Sequence, residues 1–425
     1  MKLVRVLVVI VVVLAAIGYG LLMWPMRELH PVAEPVRGVL AITGARVYVS
    51  PDAAPIDGAT VVVRDGVIAA VGTGVAVPAG AEVVTCARCV VTAGFWNAHV
   101  HLTESKWSGA AWKSAAALEA QVEDMLTSRG FTTVVDVGSN PFDTIPLRRR
   151  IEHGELAGPK IYTAGTALYP PKGIPYYLRE TLPKWMIRLM PQPATPAEAA
   201  ADEERNLGRG ADVLKLFTGS YVERGTVLPM PVENARAAVE VAHRHGQIVF
   251  AHESDLAGVK VAMESGVDVL AHAADTTEGV DDAVLGGIVA RHMAMVPTLK
   301  MFGTTVTKKD AYLLPIYAEV RRFHELGGEL IFGTDVGYMR DYTTEDEFAA
   351  LAKSGLDGRD MLRMLTVTPA GRLGVLARTG TVEVGKDGDL TVLEGDPMGD
   401  VGEFAKVKMT VRGGRVIWRK QVAAP

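Results

Sequence analysis

Between about residue 93 and residue 375, short apolar runs alternate with amphipathic helical stretches. That rhythm marks a parallel sheet whose strands are joined by crossover helices. The candidate strands are Thr132–Val137, Lys160–Ala164, Val213–Phe217, Ile248–Ala251, Val267–Ala271, Ala294–Pro297 and Leu330–Gly333. Helical stretches between them include Ala115–Arg129, Pro196–Leu207, Val232–His245, Leu256–Ser265 and Ala311–Leu326. A further strand must end at the His-x-His near residue 99. Eight strands of this kind close a (β/α)8, or TIM, barrel, so the expected fold class is α/β.

The flanks read differently. Residues 38–92 contain GVLAITGARVYV, ATVVVRDGVIAAVG and AEVVTCARCVV, β-branched runs split by Gly, Pro and Asp. Asp65-Gly66 is a hairpin-turn signal. After residue 375 the same texture returns in GTVEVGKDGDLTVLEG and KVKMTVRGGRVIWRK. The simplest topology joins residues 38–92 and 376–425 in one small composite β-sandwich, with a barrel over residues 93–375 inserted between its halves. With 425 residues the chain can supply both.

Val6 to Trp24 form an uncharged apolar run preceded by Lys2 and Arg5. A run of that length can cross a hydrocarbon layer of roughly 30 Å as a helix. Residues 1–24 are therefore expected to be a transmembrane anchor or a cleaved signal segment, followed by a proline-punctuated linker at 25–37. Either reading sends the rest of the chain out of the cytoplasm. It would be held on the periplasmic side of the inner membrane, or secreted if the segment is removed.

Net charge is −5 with no block of like charges, which argues against a nucleic-acid partner. The two cysteines, Cys86 and Cys89, are too few for a structural zinc site. They are read either as a local disulfide or as two small residues at a strand end. Leu168–Thr195, rich in Pro, aromatics and Met, is too long for an ordinary connection. It reads as a lid, a pocket wall, a membrane-contacting surface or a packed insertion.

Metal-ligand residue types recur at the strand ends. His99 and His101 are spaced i, i+2 on an extended segment, so both point the same way and can grip one ion. Lys215 lies inside the apolar run VLKLF, where an unpartnered ammonium is costly. It needs a carboxylate partner, or must itself carry a carboxyl group from carbon dioxide. His252 ends IVFAH, His272 ends VLAH, and Asp335 sits just past a strand in FGTDVG. Barrel active sites lie at that end of the strands. His153, His243, His245, His292 and His324 fall in helical or loop contexts and are read as structural.

The series His-x-His, Lys, His, His, Asp resembles the amidohydrolase superfamily. VTAGFWNAHVHL is similar to that family's first-strand segment, and DVLKLFTGS to its segment bearing a carboxylated lysine. IVFAHE, VLAHAA and FGTDVG resemble its fifth, sixth and eighth strands. TPAGRLGV and GTVEVGKDGDLTVLEGDP resemble its return into the β-sandwich. The likeness is greatest to the imidazolonepropionase-like and prolidase-like branch. It departs at Val135, where relatives often carry arginine before the aspartate, here Asp136, and at the Leu168–Thr195 insertion.

The resemblance implies two divalent metal ions, expected to be zinc. His99, His101 and Asp335 would hold the first, His252 and His272 the second, and carboxylated Lys215 would bridge them. It implies a small-molecule substrate whose carbon–nitrogen amide bond is cleaved by hydroxide shared between the cations. Asp335 would move the proton. Tyr221, which follows Lys215 in TGSYVERG, is read either as a hydrogen-bond donor to the substrate or as a surface-loop tyrosine. A dipeptide, N-acyl amino acid or related amide is the expected substrate class. The competing readings are a lactonase or esterase on the same site, a mononuclear cyclic-amide hydrolase or deaminase, and an inactive scaffold. Whether the chain forms a homo-oligomer is left open.

Overall fold

A computed structural model describes residues 38–421 continuously, together with Ile10, Val12–Leu14 and Gly18. The chain opens with strands β1 (Val39–Val47), β2 (Ile56–Arg64), β3 (Val67–Gly72), β4 (Glu82–Thr85) and β5 (Val90–Ala93). β2 and β3 form an antiparallel hairpin in which Arg64 faces Val67. Asp65 and Gly66, at φ 50° and 84°, make the tight turn that their sequence signals. β1 is central, antiparallel to β2 and parallel to both β4 and β5. Its Ile42, Ala45 and Val47 pack with Val61, Val63 and Ile68. Burying each such β-branched or aliphatic side chain contributes about 1.5–3 kcal/mol. Cys86 and Cys89 are bonded across the turn before β5, with Cα atoms 5.3 Å apart.

Strands β6 (Phe95–Val100), β7 (Phe131–Asp136) and β8 (Lys160–Thr163) follow as a three-stranded parallel sheet. Next come β9 (Leu214–Phe217) and a hairpin of β10 (Gly219–Glu223) and β11 (Thr226–Pro229). β12 (Val249–His252), β13 (Val269–Leu270), β14 (Ala294–Met295) and β15 (Glu329–Leu330) complete a five-stranded parallel sheet with β9. The two sheets touch along both margins. Asp212 N bonds to Thr163 O at 2.7 Å, and Leu168 bridges Leu216. On the other side Ala98 N bonds to Phe332 O at 2.8 Å and His101 N to Val336 O at 2.7 Å.

Helices connect the parallel strands. Leu256–Ser265 starts at Asp255, whose carboxylate accepts the Gly258 N–H. Pro196–Arg209 starts at Thr195 in the same way. The segment 168–195 folds as two short helices, Tyr176–Thr181 and Lys184–Leu189, over a small core of Ala167, Tyr169 and Ile174. That core reaches Phe217 at the end of β9.

The chain then returns to the first sheet. β16 (Leu390–Leu393) pairs antiparallel with β5 and with β17 (Val407–Arg412), and β17 pairs with β18 (Arg415–Arg419). Segments from both ends of the chain therefore share one eight-stranded sheet.

The membrane expectation is corrected. The apolar run in residues 1–24 and the linker at 25–37 lie almost wholly outside the described residues. Among the described residues no helix is long and apolar enough to cross a membrane. Asp310–Glu325 has 16 residues and carries several charges, whereas a span needs about 20 apolar ones. The membrane partner and the anchored or secreted location on the periplasmic side thus have no structural basis here.

Candidate metal centre

β6 delivers His99 and His101 to one place. Asn97 fixes the approach, accepting the His99 N–H at 3.2 Å while its amide donates to the Thr334 hydroxyl at 2.7 Å. His101 donates from Nδ1 to the Gly138 carbonyl at 2.8 Å, which turns Nε2 the other way. Asp335 follows β15 in a left-handed conformation, φ 57°, a region that Asp tolerates better than most residues. Its N–H bonds to the His99 carbonyl at 2.8 Å. Two residues on, Gly337 has φ 97°, and a Cβ there would fall 1.7 Å from the His101 carbonyl oxygen. Only glycine lets the Asp335 loop close on His101.

Asp335 Oδ1 lies 3.3 Å from His99 Nε2 and 3.1 Å from His101 Nε2. Ligand atoms of these three residues all lie within 4.8 Å of one another. Burial alone would raise the Asp335 pKa, but the two histidines hold it well below the usual carboxylate range. Burial holds His99 down at about 3. For His101 the pull of burial is outweighed by the Asp335 contact, and its pKa is raised.

The other expected ligands gather around this trio. The His99 and His272 rings are 4.6 Å apart, and the His252 and His272 rings 4.8 Å. His252 also stacks on Phe217 at 4.7 Å. Lys215, on β9, is buried with no hydrogen-bond partner for Nζ, and burial lowers its pKa to about 8. It couples electrostatically to Asp335 and Glu253. Burial also lowers His252, to about 3, and His272.

The donor set fits a divalent cation. Both nitrogens of His99, Oδ1 of Asp335 and Nζ of Lys215 are buried without a hydrogen-bond partner, and such atoms are expensive unless something charged meets them. Imidazole and carboxylate donors suit zinc and related ions.

Tyr221 stands apart from the trio. It lies on β10, half-buried, with its hydroxyl 3.2 Å from that of Thr276. Two residues at the site were given no role from the sequence. Asp136 is buried and accepts hydrogen bonds from the hydroxyls of Ser139 and Thr163, which supports the Gly138 turn behind His101. Glu253 is buried beside Lys215 with both carboxyl oxygens unpartnered, and burial raises its pKa well above the ordinary value. Its position directly after His252 in FAHE was the only available signal. Aromatic rings extend outward from the histidines. Tyr169 stacks on Phe217 at 4.5 Å, and Tyr177 meets Tyr338 at 5.7 Å. Thus Leu168–Thr195 is packed against the rim of the site.

The chain is similar in sequence and in fold to known proteins. The sequence profile of the Amidohydrolase family matches residues 90–417. Ochratoxinase of Aspergillus niger is 23% identical over 416 residues, covering 89% of this chain and 86% of that protein. The crystal structure of a Xaa-Pro dipeptidase with bound methionine superposes with a TM-score of 0.76 at 22% identity, covering 90% of this chain and 100% of that one. A putative prolidase from Bifidobacterium longum gives a TM-score of 0.73 at 26% identity, covering 92% and 97%.

Proposed function

This chain belongs to the amidohydrolase family and is a hydrolase acting on carbon–nitrogen bonds; from that premise we propose that it cleaves a dipeptide, an N-acyl amino acid or a related amide at the Asp335 centre. The eight parallel strands are read as one closed (β/α)8 barrel over residues 93–375. Residues 38–92 and 376–425 are read together as the companion β-sandwich. Bridges at both margins of the parallel sheets support this reading.

Two divalent cations, zinc by expectation, would be held by His99, His101 and Asp335 and by His252 and His272, with carboxylated Lys215 between them, and would supply Lewis-acid charge at the scissile carbonyl and acidify water. Lys215 is suited to this role. Its amine, lowered by burial to about 8, is unprotonated near neutral pH far more often than an ordinary lysine, and that form adds to carbon dioxide. The product is an anion where the bare ammonium has no hydrogen-bond partner.

Asp335 is the general base and acid. Its carboxylate stays ionised, and Oδ1 has no hydrogen-bond donor aligned on it. Oδ1 can take the proton of the attacking water and return it to the leaving nitrogen. Tyr169, Phe217, Tyr177 and Tyr338 form a wall for an apolar or aromatic substituent. Tyr221 is a candidate donor to the substrate from its place beside Thr276.

The observation that carries this reading is the group of buried, unpartnered atoms on His99, Lys215 and Asp335. The test is metal content of protein prepared with zinc and bicarbonate, followed by screening of dipeptides, N-acyl amino acids, lactones and cyclic amides. About two metals per chain, falling in Lys215→Ala together with amide hydrolysis, is the expected result. One metal, indifferent to that substitution, would replace the binuclear reading with a mononuclear one. Turnover of lactones alone would replace the amide.

A further inference from the structure

We propose that Ser254 and Thr298 are positioning residues that set opposite ring tautomers on His252 and His272. The argument starts from proton counts. A hydroxyl has one proton to donate, and a neutral imidazole has one N–H and one lone pair. Ser254 Oγ donates to the Gly219 carbonyl at 3.3 Å and lies 3.0 Å from His252 Nε2. Ser254 satisfies both neighbours only if its proton goes to the carbonyl and its oxygen accepts from the ring. The N–H of His252 is then on Nε2 and its lone pair on Nδ1. Thr298 Oγ1 donates to the Pro297 carbonyl at 2.8 Å and lies 2.6 Å from His272 Nδ1. By the same count the N–H of His272 is on Nδ1 and its lone pair on Nε2.

His101 provides an internal standard. Its Nδ1 faces the Gly138 carbonyl, which can only accept, so Nδ1 carries the proton there. Ser254 and Thr298 act toward their rings as that carbonyl does, each because its own proton is already directed elsewhere. The opposite arrangement, hydroxyl donating into the ring, would point a ring N–H rather than a lone pair away from the hydroxyl.

Backbone conformation shows that both hydroxyls are held in place rather than placed by chance. Ser254 has φ 61°, and Thr298 has φ 48° and ψ 48°. The left-handed region is uncommon for non-glycine residues and costly for a β-branched one such as Thr. Of the six non-glycine residues with positive φ among those described, Ser254, Thr298 and Asp335 all lie at this centre. The Ser254 turn also depends on Gly219, where a Cβ would come within 2.0 Å of the Glu253 carbonyl oxygen. That closeness brings the Gly219 carbonyl within reach of the Ser254 hydroxyl.

The proposal concerns the protein without metal. Its consequence for cation binding rests on the reading that His252 and His272 share the second cation. The test uses full-length, metal-free protein labelled with 15N at histidine, its ring nitrogens read by long-range proton–nitrogen correlation. The expected wild-type spectrum contains one buried ring protonated on Nε2 and lacks that signature in Ser254→Ala. Thr298→Val should disturb a ring protonated on Nδ1, and Thr298→Ser should restore it.

Zinc titration of the same samples should show second-site affinity about 10- to 100-fold weaker in Ser254→Ala and Thr298→Val, with Thr298→Ser close to wild type. Circular dichroism checks the fold, and Thr298→Gly, which removes both strain and hydroxyl, replaces Thr298→Val if that variant unfolds. Unchanged ring signatures in folded Ser254→Ala and Thr298→Val would overturn the proposal. If the signatures respond but wild-type protein takes up fewer than two cations, the positioning roles stand and the binuclear reading falls.

Discussion

Oδ1 of Asp335 stands 3.1 Å from Nε2 of His101, yet Oδ1 has no aligned hydrogen-bond donor. Two groups this close and this poorly paired are arranged for something that neither supplies. Asp335→Asn keeps the shape and removes the charge. The expected outcome is a loss of at least about 100-fold in kcat/KM, with lower metal content. Steady-state kinetics and elemental analysis on one preparation check it. Near-wild-type turnover would remove Asp335 from the reaction.

Lys215 should trade stability for function. In metal-free protein lacking bicarbonate, its buried amine has no hydrogen-bond partner. Lys215→Met should then unfold at higher denaturant concentration than wild type, by on the order of 1–3 kcal/mol, while losing metal and activity. A variant less stable than the metal-free wild type would mean that Lys215 is satisfied by its neighbours.

Glu203 makes stability depend on pH. Burial raises its pKa from 4.5 to about 8, with Oε1 unpartnered and Oε2 receiving only a 3.4 Å bond from Asn206. Because the folded chain holds this proton more tightly than the unfolded chain, its stabilising contribution is complete below about pH 4.5 and is lost as pH rises toward 8. Glu203→Gln should flatten that decline and gain roughly 1–3 kcal/mol over wild type at pH 9. Denaturant midpoints at pH 5 and pH 9 measure it, and equal slopes in both proteins would refute it.

Gly337→Ala should act on the metal centre from outside the ligand set. The added Cβ meets the His101 carbonyl oxygen at 1.7 Å, so the loop or His101 must move. Destabilisation of at least about 2 kcal/mol is expected, together with weaker metal binding. Unchanged zinc affinity would show that the loop yields without His101.

The sequence carried the strands of the proposed ligands because each was an apolar run with a ligand-type residue in it or just past its end. Strand limits were less accurate. Val267–Ala271 shrank to Val269–Leu270, and Leu330–Gly333 to Glu329–Leu330. Backbone near His272 and Asp335 leaves the regular ladder as it turns into the site. Leu256–Ser265 was placed correctly, because Asp255 provides a local start. Pro141–Glu152 escaped notice, since an internal Pro146 and clustered arginines mask its apolar face. Asp136 was legible only as a residue type. Ser254 and Thr298 left no trace, because a hydroxyl's role depends on which carbonyl lies near it in three dimensions.

The pairing of β5 with β16 also fixes an order of events during synthesis. Phe95 N bonds to Thr391 Oγ1 across 296 residues of chain. A nascent polypeptide therefore presents β5 with an unfilled hydrogen-bonding edge throughout translation of all the ligand strands. The parallel strands can be complete while that edge still awaits its partner. A ribosome stalled before Leu390 would hold a chain with every proposed metal ligand made and one raw strand exposed, the kind of edge that recruits other strands.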